Sequence, residues 1–225
     1  MTYLALVITI GLPHHGRAQW PSTPTSAEIA DIGRGQVVVL QQHVDGAPWP
    51  RLRLYRFIDA TPEQSLAMLA DYEHQRSYTR DLKEARIERQ LDSARTEVFY
   101  RYASNVPFVK DVTFTSLQRL RRAPDGTYSV EWTLKSGHRV KHTEGVARFS
   151  SWANPVTGRP GTLLTYDNYV VPDFPFSSSG LARRKALESM RDAVDAIARE
   201  VERERSQDRT LLDRQVAALR AALAY

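Results

Sequence analysis

The segment SSSGLARRKALESMRDAVDAIAREVER, residues 177–203, decides the fold of this chain. Five apolar residues recur in it at intervals of three, four, three and four, which is the spacing of one face of an α-helix. They are Leu187, Met190, Val194, Ile197 and Val201. The pattern predicts a long amphipathic helix near the end of the chain, so the preceding residues must supply a surface for it to cover.

The chain before this helix alternates apolar and polar residues with a period of two, which predicts β-strands. The alternating segments are residues 36–43, 51–58, 83–90, 96–103, 109–119, 128–134, 144–152 and 162–170. Turn sequences such as Asp45-Gly46 and Ser136-Gly137 separate several of them. One helix interrupts the series, because Thr61 and Pro62 are a typical N-cap and first helical residue.

This order of elements predicts an α+β fold in which a curved antiparallel sheet of about seven strands wraps around the long C-terminal helix. A single covering helix buries one face of the sheet and leaves the other to solvent. A strongly curved sheet cannot fill its own middle unless its side chains are large. The architecture therefore predicts a hydrophobic cavity between sheet and helix, suited to an apolar ligand.

The composition fits one globular domain. Of the 225 residues, 42% are hydrophobic and 25% are charged, which is the ordinary mix of such a domain. The chain contains no cysteine, and this excludes disulfides, thiolate metal sites and cysteine nucleophiles. The net charge of +5 is compatible with weak attraction to anionic membranes. We predict no nucleic-acid partner.

Both ends of the chain have their own patterns. The apolar run LALVITIGL, residues 4–12, is followed by Gly16 and Ala18, which predicts a signal peptide over residues 1–18 and export to the periplasm or medium. Residues 1–3 carry no Lys or Arg, so a buried N-terminal strand is the alternative. Residues 19–34 are predicted to be a linker and residues 35–203 the domain.

The end of the chain carries a second stripe of apolar residues at helical spacing. It predicts a helical extension over residues 204–225, docked either on the domain or on a second copy of the chain. The stripe comprises Leu212, Val216, Leu219 and Leu223.

Candidate ligand-binding residues are the large apolar side chains of the strands, the closing helix and one loop. They are Phe108, Phe114, Trp132, Phe149, Tyr166, Met190, Val194 and Ile197. The alternative is that they form ordinary core. The sequence does not decide which strand face is concave, because a one-residue change of register exchanges the two faces.

Charged residues on the strands raise a second question. An Arg–carboxylate pair at the end of the cavity could hold a ligand headgroup, while an unpaired buried charge would cost several kcal/mol. The favoured alternative is that these charges form the solvent face of the sheet. The residues concerned are Glu97, Arg101, Glu131, Arg148 and Asp167.

Metal binding and catalysis find little support in the sequence. His138, His142 and Glu144 are the residue types of a metal site with two histidines and one carboxylate. Arg139 and Lys141 lie between them, and their positive charges would repel a metal cation. We therefore expect a solvated hairpin tip here. We predict no metal, no cofactor and no catalytic residue. An acid–base pair drawn from the available carboxylates could still drive a cyclisation or dehydration, while the alternative is that they are surface residues; they are Asp71, Asp111 and Asp167.

Two apolar, proline-stiffened segments are candidate gate loops that touch a membrane. Their apolar residues are Val106, Pro107, Phe108, Phe174 and Phe176, and the alternative is that both loops only cap the ends of the core. Nearby cations would favour transient contact with an anionic membrane surface; they are Lys110, Arg183, Arg184 and Lys185.

Four stretches resemble motifs of the START-like (SRPBCC) helix-grip superfamily, particularly its bacterial coenzyme Q-binding and polyketide cyclase-type branch. The stretches are YRFIDATPEQ (55–64), LADYE (69–73), NVPFVKDV (105–112) and VVPDFP (170–175). The likeness covers residues 36–203. It departs from the family pattern in Lys110, where Arg is more common, in Leu66, where Trp is usual, and in the tail after Glu202.

This resemblance implies a seven-stranded antiparallel sheet that grips a C-terminal helix over a hydrophobic tunnel. It also implies that the protein binds a lipid, quinone, sterol or polyketide-like molecule and carries or shields it, usually without catalysis. One alternative is an aromatase/cyclase-like or dehydratase-like enzyme on the same fold. Another is a protein-interaction module whose interior is filled by side chains.

Overall fold

Eight strands and five helices make up the described part of the chain, which is residues 23–104, 110–174, 177 and 179–224 of a computed structural model. The helices are α1 Ser26–Gly33, α2 Pro62–Ala70, α3 Gln75–Tyr78, α4 Gly180–Gln207 and α5 Arg209–Leu223. The strands are β1 Val38–Gln42, β2 Arg51–Ile58, β3 Leu82–Gln90, β4 Arg95–Tyr102, β5 Val112–Arg122, β6 Tyr128–His138, β7 Val140–Ala153 and β8 Pro160–Pro172. All eight strands lie where the alternation predicts them.

The strands form one curved antiparallel sheet in the order β1-β2-β8-β7-β6-β5-β4-β3. Strands β3 to β8 are a meander, and β2 joins its far end by pairing with β8. The α+β prediction is confirmed, with eight strands against about seven expected. In the register between β2 and β8, Leu54 pairs with Tyr166 and Arg53 pairs with Asp167. Leu54 and Tyr166 lie on the face of the sheet that packs against the helices. Arg53 and Asp167, one residue away, lie on the outer face.

Helices α2 and α4, which pack against the sheet, both begin at side-chain caps. Thr61 forms a capping box with Gln64, and Pro62 occupies the first turn of α2, as the sequence predicts. Ser179 accepts a hydrogen bond from the backbone N–H of Ala182 at the start of α4. Such caps satisfy backbone donors that have no partner within the helix.

The C-terminal half of α4 packs into the main core, where Val194, Ala198 and Val201 are fully buried. The core also includes Phe149 and Leu164 from the sheet and residues of α2. Helix α5 lies on this same domain against α2. Leu212 and Leu219 of α5 are buried, and Arg220 makes a two-pronged ion pair with Glu63, so the stripe docks intramolecularly.

The structure differs from the linker prediction at residues 26–33, which form α1. Thr25 and Glu28 make a capping box at its start. Ile32 of α1 is buried with Tyr55 and Phe57 of β2 on the outer face of the sheet. That face is therefore partly covered rather than left wholly to solvent. Pro, Ser and Thr at the start of this segment are cap and turn residues, and they concealed the short helix.

The hairpin between β6 and β7 also differs from the prediction. Ser136 and Gly137 lie inside β6 rather than in a turn, and the chain reverses at Arg139, which has a φ of 67°. None of the helices in the described residues has both the length and the apolar character that a membrane span requires.

Candidate ligand-binding cavity

A cavity of about 350 Å³ lies between the sheet and the N-terminal half of α4. Small side chains on the inward face of this half of the helix leave the space open: Ala186, Ser189 and Ala193 line it together with Met190 and Ile197. Val194, Ala198 and Val201 point away from this space and are fully buried in the packed core. The side chains of α4 thus divide between the cavity wall and the solid core.

Aromatic side chains form the sheet wall. The Phe114 ring lies 5.4 Å from that of Tyr100 and 6.0 Å from that of Tyr102, between ring centroids. The Trp132 and Tyr166 rings lie 5.0 Å apart. All five line the cavity. Adjacent inward positions of β4, β5, β6 and β8 supply these rings, so the antiparallel register brings them together.

The structure places the predicted ligand-binding residues in two groups. Phe114, Trp132, Tyr166, Met190 and Ile197 line the cavity. Phe149 and Val194, by contrast, are fully buried in the packed core and do not line it. Both are as apolar as the cavity residues, so residue type alone cannot reveal the distinction.

The predicted gate residues fall mostly outside the described chain. Val106, Pro107, Phe108 and Phe176 lie there, and Phe108 was also a predicted ligand-binding residue. Phe174 is half-buried just after β8.

Three further aromatic residues line the cavity: Trp49 and Tyr72 from connecting segments and Tyr78 from the end of α3. Their polar atoms, the indole Nε1 and the two hydroxyls, are buried and find no hydrogen-bond partner among the described residues. Sequence reasoning did not assign any of the three to the site. The signal for Trp49 was a large aromatic residue between two prolines, Pro48 and Pro50, in a turn region.

The cavity is electrically neutral over most of its wall. Burial raises the pKa of Tyr102 to about 12, and it also raises the pKa values of Tyr72, Tyr100 and Tyr166. These phenols are therefore protonated at neutral pH. Asp81 is the one carboxylate among the described lining residues, and it accepts a hydrogen bond of 3.0 Å from the Ser189 hydroxyl.

The charged strand residues lie on the outer face, as favoured from the sequence. Asp167 pairs with Arg53 and with Arg148, the latter at 2.8 Å. Glu97 pairs with Lys135, and the other outward charges also have partners, Arg101 with Glu84 and Glu131 with Arg121. None of these described residues forms an inward headgroup clamp.

The remaining carboxylates considered for catalysis also lie away from the cavity. Asp71 accepts a hydrogen bond from Gln215, and Asp111 lies 3.3 Å from the Lys83 ammonium. Neither lines the cavity, and nor does Asp167. The described wall therefore brings together no carboxylate pair that could act as acid and base.

His138, His142 and Glu144 do not come together as a metal set. His142 lies 3.3 Å from Glu144, whose other oxygen pairs with Arg51, while His138 is exposed at the end of β6. Within the described residues, the one group with metal-ligand geometry is instead His74, Glu200 and Glu204. His74 lies 126 residues before Glu200, and no motif marks the three residues as a set.

Comparisons with known proteins find likeness in structure alone. No protein-family model matches the chain, and no curated protein matches it either. A STAR-related lipid transfer protein from Xanthomonas axonopodis (fragment 25–204) superposes with a TM-score of 0.62 at 16% identity, over 74% of this chain and 93% of the other. Human StAR-related lipid transfer protein 5 gives 0.63 at 13% identity, over 75% and 83%.

An aromatase/cyclase structure has a weaker likeness. The di-domain ARO/CYC StfQ from the steffimycin biosynthetic pathway superposes with a TM-score of 0.50 at 13% identity, over 69% of this chain and 46% of the other. Identities this low concern the fold alone. The element order, the sheet and these superpositions together show that the chain has the START-like helix-grip fold.

Proposed function

We propose that this protein binds a hydrophobic small molecule in the cavity between sheet and α4 and carries or shields it. The observation that carries the proposal is the cavity itself: about 350 Å³, walled by aromatic and small apolar side chains. Pockets of this size and character are typical small-molecule sites. Two proteins of similar structure are lipid transfer proteins, which supports the proposal. A lipid, quinone, sterol or polyketide-like molecule would fit this description.

Burial of the ligand would supply the affinity. Each methylene moved from water into the cavity contributes about 0.8 kcal/mol, so a chain of several methylenes binds without a charged anchor. The neutral wall fits this mode, because the described lining contains no Lys, Arg or His. An anionic group buried there would lose its hydration without gaining a cationic partner among the described lining residues.

The wall disfavours the enzyme alternative. A cyclase or dehydratase requires an acid–base pair beside the substrate, and Asp81 is the single carboxylate of the described lining. The open cavity likewise disfavours an interaction module with a filled interior. Carriage or shielding is therefore the proposal that needs no group beyond those present.

We also propose transient contact with an anionic membrane through the start of α4. Leu181 is 54% exposed there, beside the exposed cations Arg183, Arg184 and Lys185. Each such cation near an anionic surface contributes about 1 kcal/mol. The same helix lines the cavity one turn later at Ala186, so the contact would lie next to the ligand. Export to the periplasm or medium remains a prediction from residues 1–18.

The test is native mass spectrometry with solvent extraction of the protein purified from its own host. We expect a discrete co-purified hydrophobic molecule at about one per chain. An empty protein that also takes up none of a panel of lipids and quinones would overturn the proposal.

A matched pair of variants locates the bound molecule. Ala193→Leu adds a larger side chain inside the cavity and should reduce the bound fraction. Ala218→Leu makes the same change at an exposed position of α5 and should leave it unchanged. Equal occupancy in both variants would place the ligand elsewhere.

A further inference from the structure

His74, Glu200 and Glu204 form a compact, largely buried group outside the cavity wall. The His74 Nε2 atom lies 3.0 Å from Oε1 of Glu200 and 3.0 Å from Oε1 of Glu204. The two glutamates are one turn apart on α4, and the Glu204 side chain is fully buried. One imidazole nitrogen thus faces two carboxylate oxygens at once.

Two buried acceptor atoms at this group lack partners. Oε2 of Glu204 and Oε1 of Gln215 are both buried with no hydrogen bond among the described residues. The Gln215 amide belongs to the same place, because its Nε2 lies 3.4 Å from Glu204 Oε1 and 3.1 Å from Asp71 Oδ2. Buried polar atoms nearly always have a partner, so the group lacks a positive or hydrogen-donating species.

The net charge of the group also indicates that a positively charged species is missing. Glu200, Glu204 and Asp71 are three carboxylates, and Arg203 is the one Arg or Lys side chain paired with them in the described chain. Its Nη2 lies 2.6 Å from Glu200 and 4.0 Å from Glu204. With all three carboxylates ionised, a neutral imidazole and one Arg203 cation, the group has an excess of two negative charges, which one divalent cation balances.

We propose that His74 Nε2, Glu200 and Glu204 bind a Zn²⁺ ion. Nitrogen and oxygen ligands at about 2.0–2.2 Å from one tetrahedral Zn²⁺ lie about 3.3–3.6 Å from each other. The His74 Nε2 atom lies 3.0 Å from each carboxylate oxygen and all three ligand atoms lie within 4.8 Å of one another, so small side-chain movements would place them around one ion. An imidazole beside carboxylates favours Zn²⁺ over Mg²⁺ or Ca²⁺, which prefer oxygen alone. Water or the Gln215 amide oxygen, after the amide rotates to exchange its O and N positions, completes the site.

The ion would join three parts of the chain. His74 immediately precedes α3, Glu200 and Glu204 belong to α4, and Gln215 belongs to α5. The His74 ring also lies 5.8 Å from the ring of Tyr78, which lines the cavity. Zn²⁺ would therefore hold the C-terminal extension and this part of the cavity wall in place.

Isothermal titration of the full chain with ZnCl₂, after stripping with EDTA and dialysis, tests the site. We expect one Zn²⁺ per chain and a higher unfolding temperature on binding. His74→Gln and Glu204→Gln should each weaken binding about tenfold or more, since each removes a ligand. His142→Gln is the matched control, because it removes the other His–Glu contact, of 3.3 Å, and should leave binding unchanged.

Three results would overturn the site: no Zn²⁺ uptake by the stripped chain, uptake unaffected by His74→Gln, or Mg²⁺ binding as tight as Zn²⁺. A measurement on the unmodified chain covers the case in which the variants fail to fold. Co²⁺ added to the stripped protein should give the intense visible absorption of a four- or five-coordinate site, and Zn²⁺ should abolish it. A spectrum of hydrated Co²⁺ alone would also overturn the proposal.

Discussion

The indole ring of Trp132 occupies the space that a side chain at Gly145 would need. The two residues are partners on β6 and β7, and a Cβ built on Gly145 would lie 2.2 Å from Cζ2 of Trp132 and 2.3 Å from the Asp167 carbonyl oxygen. No real Cβ makes contacts that short. Glycine at this position therefore allows Trp132 its place in the cavity wall.

Replacing Gly145 should disturb the cavity and the fold together. We expect Gly145→Ala to lower the free energy of unfolding by about 1–3 kcal/mol, because it overpacks the sheet at the Trp132 ring. Urea unfolding measures the loss, and Trp fluorescence reports the ring. Gly180→Ala is the control, since its added Cβ meets no atom within 4 Å. Equal stability of the two variants would contradict this packing.

The docking of α5 is testable through Leu219, which is 2% exposed and belongs to the main core. Leu219→Ala should lower the free energy of unfolding by about 2–5 kcal/mol, the cost of a large-to-small change in a core. Leu181→Ala, at a position 54% exposed, should change it by less than about 0.5 kcal/mol. If both variants unfold at the same urea concentration as the parent, α5 is not docked as described.

The buried tyrosines predict a loss of stability in alkali. Burial raises the pKa of Tyr102 from 10.0 to about 12, so between these values the folded protein binds more protons than the unfolded chain. The free energy of unfolding must then fall as the pH rises through this range. Below pH 10 the contribution is constant.

Tyr102→Phe removes that contribution and should make the decline from pH 10 to pH 11 shallower by up to about 1 kcal/mol. Tyr169→Phe is the control, because Tyr169 lies on the outer face under Arg51, 4.8 Å from the ring centroid. Urea unfolding at each pH measures both. Parallel curves for Tyr102→Phe and the parent would show that Tyr102 titrates as an exposed phenol.

A substitution of Phe174 tests the predicted contact between the gate loop and a membrane. Phe174→Asp places a negative charge at a half-buried position after β8, where it would be repelled by an anionic bilayer. We expect slower transfer of a fluorescent lipid between phosphatidylglycerol-containing vesicles, with the unfolding temperature unchanged. If the variant transfers lipid as fast as the parent protein, Phe174 is not part of a membrane-touching gate.

The predictions that succeeded rest on periodicity. The alternation of apolar and polar residues located all eight strands, and the Thr61-Pro62 pair located the start of α2. Both predictions succeeded because local conformational propensity and the pattern of buried residues agree in these segments. Helix α1 was missed since its start resembles a linker, and α3, with four residues, is too short for any period to show. Ser136-Gly137 has turn composition, yet the ladder to β5 holds both residues in β6.

The cavity illustrates why residue type alone assigns a site only in part. Phe149 and Trp132 are both large, inward-facing aromatic residues, yet Phe149 packs solidly and Trp132 lines the cavity. Trp132 faces the space lined by Ala186, Ser189 and Ala193 of α4, whereas Phe149 belongs to the core with residues of α2 and the C-terminal half of α4. The small residues Ala186, Ser189 and Ala193 were visible in the sequence, but their significance required knowing that they face the sheet.

The sequence by itself determined the strands, the closing helix and hence the class of fold, because these depend on patterns within a few neighbouring residues. Only the tertiary structure decided the depth of the cavity, the register that faces five aromatic rings inward, and the meeting of His74 with Glu200 and Glu204. Those features join residues up to 130 positions apart. Their distances depend on how the helix lies across the sheet, which no local pattern encodes.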